Sequence, residues 1–359
     1  MCLAKKYYNT FTFVGNLIIP KDDENFFSEL KNANGWLLNK INFGVKDASG
    51  SVEWVEMFGG HSTTSENKVY TIDSKYKKMT VPWEDRMNPN ILKEVPDFAQ
   101  LKVYLENEEM QFIAEEDAIK YLKSVLPLVG EQKIYVYGNI NWQEYKGKIY
   151  KKFNVKQIRL KKQNDKEGLF GKINIFFNKE SMDEDRTSEQ IVDVNGFIQD
   201  YDRSKKGNVF LPQPFVINGS KLDFNESLHK RKFNWMKNNF KVSNGWYQLQ
   251  WLVKFSNGAD DVEISMEDLS DFQKEQVELG IKTFEEIKNS MGGNFKDYSK
   301  SEIKLIKPTE AFAEGAELTD YEDSDFEFIS TKDENIKDIQ QEEPKEESKK
   351  ELDLEDMFG

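Results

Sequence analysis

Ile41-Asn42-Phe43-Gly44-Val45-Lys46-Asp47-Ala48-Ser49-Gly50-Ser51-Val52-Glu53-Trp54-Val55-Glu56-Met57-Phe58 is the stretch whose reading decides the fold. Ile41, Phe43 and Val45 alternate with other residues, the period of a strand with one buried face. Asp47-Ala48-Ser49-Gly50 is a turn signal, and residues 52–58 return as a second strand. In that strand Val55 and Met57 share one face, and Trp54, Glu56 and Phe58 share the other. With the aliphatic face turned to a core, the rings point outward.

Residues 10–19 alternate on the N-terminal side, with Phe11, Phe13 and Leu17 on one face and a bend at Gly15. On the C-terminal side a helix is expected over 115–125, where Ile119, Leu122 and Val125 recur at helical spacing. Residues 134–140 form another strand, Lys146-Gly147 a hairpin tip, and residues 149–160 the return. Here Ile134, Val136 and Ile140 share a face, and Tyr135, Tyr137 and Tyr145 the opposite one. Three strands, a helix-bearing connection and two strands are the order of a five-stranded oligonucleotide-binding (OB) barrel. The fold class expected is therefore mainly β with α insertions.

This first domain spans 1–162, with a long insertion at about 60–130 marked by Pro82, Pro89 and Pro96. A second β-rich domain, 168–308, has expected strands at 172–177, 191–200, 215–217 and 247–255, with a closing strand at 303–306. Residues 267–290 read as its helix, with Val277, Ile281, Phe284 and Ile287 as the buried stripe and Gly292-Gly293 as the stop. A second OB fold is one reading of this unit. Val14-Gly15-Asn16, Tyr137-Gly138-Asn139 and Asn195-Gly196-Phe197 form a loose echo, too short to establish a duplication.

The 359 residues allow two or three domains. No apolar run approaches the ~20 residues of a spanning helix, and residues 1–8 lack the apolar core of a signal peptide, so no membrane and a cytoplasmic setting are expected. One cysteine, Cys2, and two histidines, His61 and His229, leave little for disulfides, zinc or acid–base chemistry. No nucleotide-binding loop, nucleophile elbow or metalloprotease motif is present. The acid pairs Asp22-Asp23, Glu115-Glu116 and Asp260-Asp261 are ordinary in a chain with 32% charged residues. Neither catalytic residues, nor metal, nor cofactor are expected.

The net charge of -14 is unevenly placed. Residues 309–359 hold 19 acidic and 5 basic residues, the whole imbalance, while residues 1–308 hold 45 of each. The tail, poor in apolar period, reads as disordered. Phe312, Tyr321, Phe326 and Phe328 lie within it, placed either to fold back onto a basic, aromatic surface or to meet a partner. Its tip carries Leu354, Met357 and Phe358 among acids.

Cations accompany the rings in the body. Residues 144–162 contain eight basic residues, among them Lys146, Lys148, Lys151 and Lys152, against one acid. Lys230, Arg231 and Lys232 run into Phe233 and Trp235, with no acid between His229 and Lys241. Rings interleaved with cations suit a ligand that offers both exposed bases and phosphates.

The run Phe11–Leu17, then Ile41–Lys46, then Glu53-Trp54-Val55-Glu56-Met57-Phe58-Gly59 resembles the first three strands of single-stranded DNA-binding proteins. Val136-Tyr137-Gly138-Asn139-Ile140 to Tyr145, followed by Phe153-Asn154-Val155, resembles that family's last hairpin. By that resemblance Trp54, Phe58 and Tyr145 match base-stacking places, and the acidic tail with Leu354, Met357 and Phe358 is similar to a partner-docking tail for replication or recombination proteins. The long 60–129 connection, Gly359 after the final Phe and the second domain depart from the common bacterial form, which implies a bacteriophage-type protein and then the host cytoplasm. The rival reading is a β-rich structural or virion interaction protein with no nucleic-acid role. DNA against RNA, and homo-oligomerisation, stay open.

Overall fold

The computed structural model describes residues 8–257 except 107, 146 and 203–205, then 301–309, 318 and 320–327, with isolated positions between 260 and 297. Five strands build the first barrel: β1 (Thr10–Ile18), β2 (Trp36–Lys46), β3 (Val52–Ser62), β4 (Lys133–Tyr145) and β5 (Lys148–Leu160). Helix α1 (Glu115–Val125) lies in the connection from β3 to β4. Antiparallel ladders join β1 to β2, β2 to β3, β1 to β4 and β4 to β5, and β3 packs beside β5 to close the ring. This is the strand order of an OB barrel.

Alternation explains the interior. Phe11, Phe13, Phe43, Val55, Val136, Phe153 and Ile158 are buried, and α1 caps them with Ile119, Leu122 and Val125. Gly15 is required where β1 crosses onto β2: a Cβ there would sit 2.1 Å from the Lys46 carbonyl oxygen. The β2–β3 turn is set by Asp47, whose Oδ1 accepts from the Ser49 and Ser51 amides at 2.9 and 3.2 Å, with Gly50 at φ 87°. The insertion is tied to α1 by Arg86, which donates to Asp117 at 2.7 and 2.9 Å and stacks on Trp83 at 4.0 Å.

A second ring repeats the plan: β6 (Gly168–Phe177), β7 (Ile191–Asp202), β8 (Gly207–Asn218), β9 (Tyr247–Asn257) and β10 (Ser301–Pro308). Ladders run β6–β7–β8, then β8–β10 in parallel at Val216↔Lys304, then β10–β9 and β9–β6. Helix α2 (Ser227–Asn238) stands between the third and fourth strands, as α1 does in the first barrel. The prolines 212 and 214 shorten the strand expected here to 215–217, yet β8 runs through both. It tolerates them because β10 pairs with it only at Val216.

The barrels are joined by their first strands. Thr10–Val14 of β1 pairs antiparallel with 168–172 of β6, and only the second half of each strand reaches its own barrel's second strand. The duplication thus lies in topology. Of the echoing glycines, Gly15 is on β1, Gly138 on β4 and Gly196 on β7, three non-equivalent places. The expected helix at 267–290 lies almost wholly outside the described residues.

Two expectations need correction. The Lys230–Lys241 run is mostly helix α2, whose 3.6-residue period turns Phe233, Met236 and Lys237 inward. The chain after Thr309 is not structureless throughout: Leu318 bridges to Trp246, and Asp323–Phe326 forms a short 3-10 turn packed on the second barrel.

Candidate nucleic-acid interface

Period-two geometry gives β2 and β3 one shared outer face. Directly paired residues lie on the same side, so Gly44↔Trp54, Asn42↔Glu56 and Lys40↔Phe58 all face outward. Trp54 is 45% exposed. Its indole lies over Gly44, where a Cβ would meet Trp54 Cε3 at 3.4 Å, so the glycine gives the ring a flat bed. Phe58 sits four residues on, roughly 13 Å along the strand. Lys40 stands over its ring at 5.3 Å and Lys152 at 6.0 Å. Lys40 also pairs with Glu56.

The same face continues to residues the sequence pattern did not single out. Trp36 has the parity of Lys40 and Gly44 and is half exposed, and Leu30, on the strand Phe27–Lys31 beside β2, is exposed next to it. On β5, Tyr150 shares the outward side with Lys148 and Lys152. Parity alone marks Trp36 and Tyr150; the signal was present.

Lys151 points the other way. It meets Glu53 at 3.0 Å and lies 4.8 Å from the Phe255 ring, in the seam between the barrels. Burial pushes the Glu53 carboxyl up while Lys151 beside it pulls it back. A lysine neutralising a buried glutamate is structural and is not available to a phosphate.

Tyr135 and Tyr137 lie on a different surface from Trp54. Their strand, β4, is separated from β3 by β5, and they face an open groove of about 410 Å³ where β4, β1, β6 and β9 run side by side across both barrels. Thr10, Thr12 and Gly171 floor it, and Phe170 and Lys172 complete it. Arg159 stacks on Tyr135 at 3.7 Å and is held by Asp165 at 2.6 and 2.9 Å. That guanidinium holds the Asp165 carboxyl down at about 2. Lys166 stands 5.2 Å from the Phe170 ring.

The remaining expected site residues separate. Lys230, Arg231, Lys232 and Trp235 are exposed on α2, whereas Phe233 is only 3% exposed, packed against Phe224 at 5.3 Å, and cannot stack on a base. Tyr145 ends β4. Lys146, Leu354, Met357 and Phe358 lie outside the described residues.

The arrangement supplies flat apolar rings, bordering ammonium groups and an open approach, which suits stacking and phosphate contact. Among the described residues no helix is long and apolar enough to cross a membrane. No protein-family model matches the chain, and no curated protein matches it. Among solved structures it is similar to a deletion mutant of the single-stranded DNA binding protein from Thermus aquaticus, at 9% identity and a TM-score of 0.31, over 86% of this chain and 98% of that one.

Proposed function

We propose that the chain binds single-stranded DNA without strong sequence preference, covering it during replication, recombination or repair, in the manner of a phage-type protein. The observation that carries this is the Trp54 indole, laid on Gly44 at the outer face of an OB barrel with Phe58, Lys40 and Lys152 beside it. Bases stack on the rings because every base has a π-face, which gives affinity with little sequence readout. Lysines on β2 and β5 contact the phosphates. Tyr135 and Phe170 in the inter-barrel groove give the strand a second set of rings. In this reading the protein is a binding protein and not an enzyme, and its acidic C-terminal tip recruits partner proteins.

Titration with oligothymidine tests this directly. Tryptophan fluorescence is quenched on binding, and a labelled single strand outcompetes a duplex of the same sequence. Preferential binding to duplex, or no binding at low salt, overturns the reading.

A further inference from the structure

The insertion between β3 and α1 carries a feature that closing a barrel does not require. A hairpin, Lys68–Ile72 paired with Lys78–Pro82, springs from the end of β3. Its root is fixed there: the Asn67 side chain accepts from the Ser62 amide at 2.8 Å and donates to the Ser62 carbonyl at 2.7 Å. Ser62 is the register partner of Trp36, where the outer ring face ends. Val69 and Val81, directly paired, turn inward to a small core with Met79 and Trp83. The opposite face looks to solvent, where Tyr70 is 78% exposed, with Lys68 on its own strand and Lys78 diagonally across. At the tip, Tyr76 is 74% exposed and stacks on Phe98, itself 56% exposed, with centroids 5.8 Å and planes 20° apart. Lys75, Lys77 and Lys78 are exposed around it. The neighbouring acids are engaged: Glu66 pairs with Lys68 at 3.3 Å, Asp97 with Lys102 at 2.9 Å, and Asp73 Oδ1 accepts the Lys75 and Lys77 amides at 2.8 and 2.9 Å. Residues 73–78 thus set one acid against three lysines.

The backbone under Tyr76 sharpens the point. The Tyr76 amide donates to the Asp73 carbonyl and the Asp73 amide to the Lys77 carbonyl, both at 2.9 Å, and this tight turn holds Tyr76 at φ 62°. That left-handed conformation is one glycine adopts freely and a bulky side chain adopts at a cost. The ring is kept there although most of it stays in water, so packing within the chain does not account for it. We infer that the hairpin is a further contact for single-stranded DNA, taking up the strand beyond the Trp36 end of the β2–β3 face. Tyr76 and Phe98 offer bases an offset stack to extend, Tyr70 offers another ring, and Lys75, Lys77 and Lys78 meet phosphates. Four strand steps of ~3.3 Å carry the tip roughly 13 Å past the root, which lengthens the path by that much. An acidic peptide would use the lysines alone; open, near-parallel rings are what bases add. The inference rests on the Trp54 face binding single strands, and it extends that site onto the insertion.

The test compares, on the full chain, an oligothymidine of roughly 8 nucleotides, within the ~4–16 that one OB fold covers, with one of roughly 30. Tyr76→Gly weakens binding of the long strand roughly tenfold, the worth of one ring–base stack, and leaves the short one unchanged. Its melt stays in place, because glycine suits the left-handed position. Lys75→Gln, Lys77→Gln and Lys78→Gln together lower the salt slope for the long strand by about 2, at ~0.7 per phosphate contact. In the unmodified chain, hydrogen exchange at residues 73–78 slows with the long strand and not with the short one, a readout that does not depend on the variants folding. Unchanged exchange there, or a long strand that binds Tyr76→Gly as tightly as the unmodified chain, overturns the inference and leaves the Trp54 reading intact. Loss on the lysine substitutions without loss on Tyr76→Gly overturns it too, since charge alone is then being read. If Trp54→Ala leaves binding of both strands unchanged, it is the first-barrel reading that fails.

Discussion

Replacing Trp54 by alanine probes the interface at the residue that carries it. The indole keeps 45% of its surface in solvent, so about half of it is buried over Gly44 and its neighbours. An aromatic side chain buries ~150–250 Å² when fully covered, so the half-covered indole buries roughly 100 Å². At ~25 cal/mol per Å² that sets a ceiling of about 2.5 kcal/mol on lost stability. The barrel keeps its fold, because Phe43, Val55 and Phe153 in the core are untouched. Binding loses one ring–base stack of ~1–3 kcal/mol, a weakening of roughly 5- to 150-fold. Fluorescence anisotropy of labelled oligothymidine at fixed salt, run beside a thermal melt, measures both quantities. Trp54→Phe, which keeps a ring, recovers most of the affinity. An unchanged affinity in a protein that melts normally refutes the stacking assignment, and a collapsed melt shows that the ring belongs to the core.

Substituting Lys40, Lys148 and Lys152 together lowers the slope of log affinity against log salt by about 2, at ~0.7 per phosphate contact on single strands; an unaltered slope removes these lysines from the interface. Val136→Asp places a charge at a fully buried position and unfolds the first barrel, read as loss of cooperative melting. The Asp165 carboxyl, ordinarily near 3.8 and held at about 2 by Arg159, stabilises the 161–167 connection against the end of β5 above pH ~4 and loses that contribution as pH falls toward ~2; Asp165→Asn abolishes this pH dependence, which hydrogen exchange across 161–167 reports. Removing residues 328–359, which hold 11 acidic and 5 basic residues, tightens oligothymidine binding at low salt and much less at high salt, where screening already suppresses the competition; affinity that stays the same across a salt series excludes competition by this part of the tail.

Much of the first barrel was legible because its strands are half-buried, and half-buried strands write their two faces into alternation. Trp54 against Val55 and Tyr135 against Val136 both follow that rule. What alternation omits is where each outer face looks. Tyr137 and Trp54 are both outward, but β5 stands between their strands and sends them to different surfaces. Lys151 was illegible for another reason: it belongs to a charge run, yet Glu53, 98 positions away, holds it in the seam. In the second barrel the closing strand β10 begins more than 40 residues after β9 ends, so its pairing leaves no local trace. Phe233 sits among cations exactly as a surface ring does in a linear reading, and only the helical period of α2 takes it inside. Tyr321 and Phe326 showed the opposite behaviour, since rings in an acidic run announce a contact without naming its surface.

The pairing of β1 with β6 has a bearing on how the chain avoids sticking to itself. A first strand whose N-terminal half is paired on one side only within its own barrel, with β4, has an open row of amides and carbonyls on the other, the kind of edge on which chains aggregate. Here Thr10–Val14 and residues 168–172 seal one another within a single molecule. Each barrel is therefore the other's edge protector. Cutting the chain between Leu160 and Gly168 leaves two fragments, each with a bare template five residues long. Such fragments are expected to reassociate with each other, or to pair with their own copies, before they stay apart in solution.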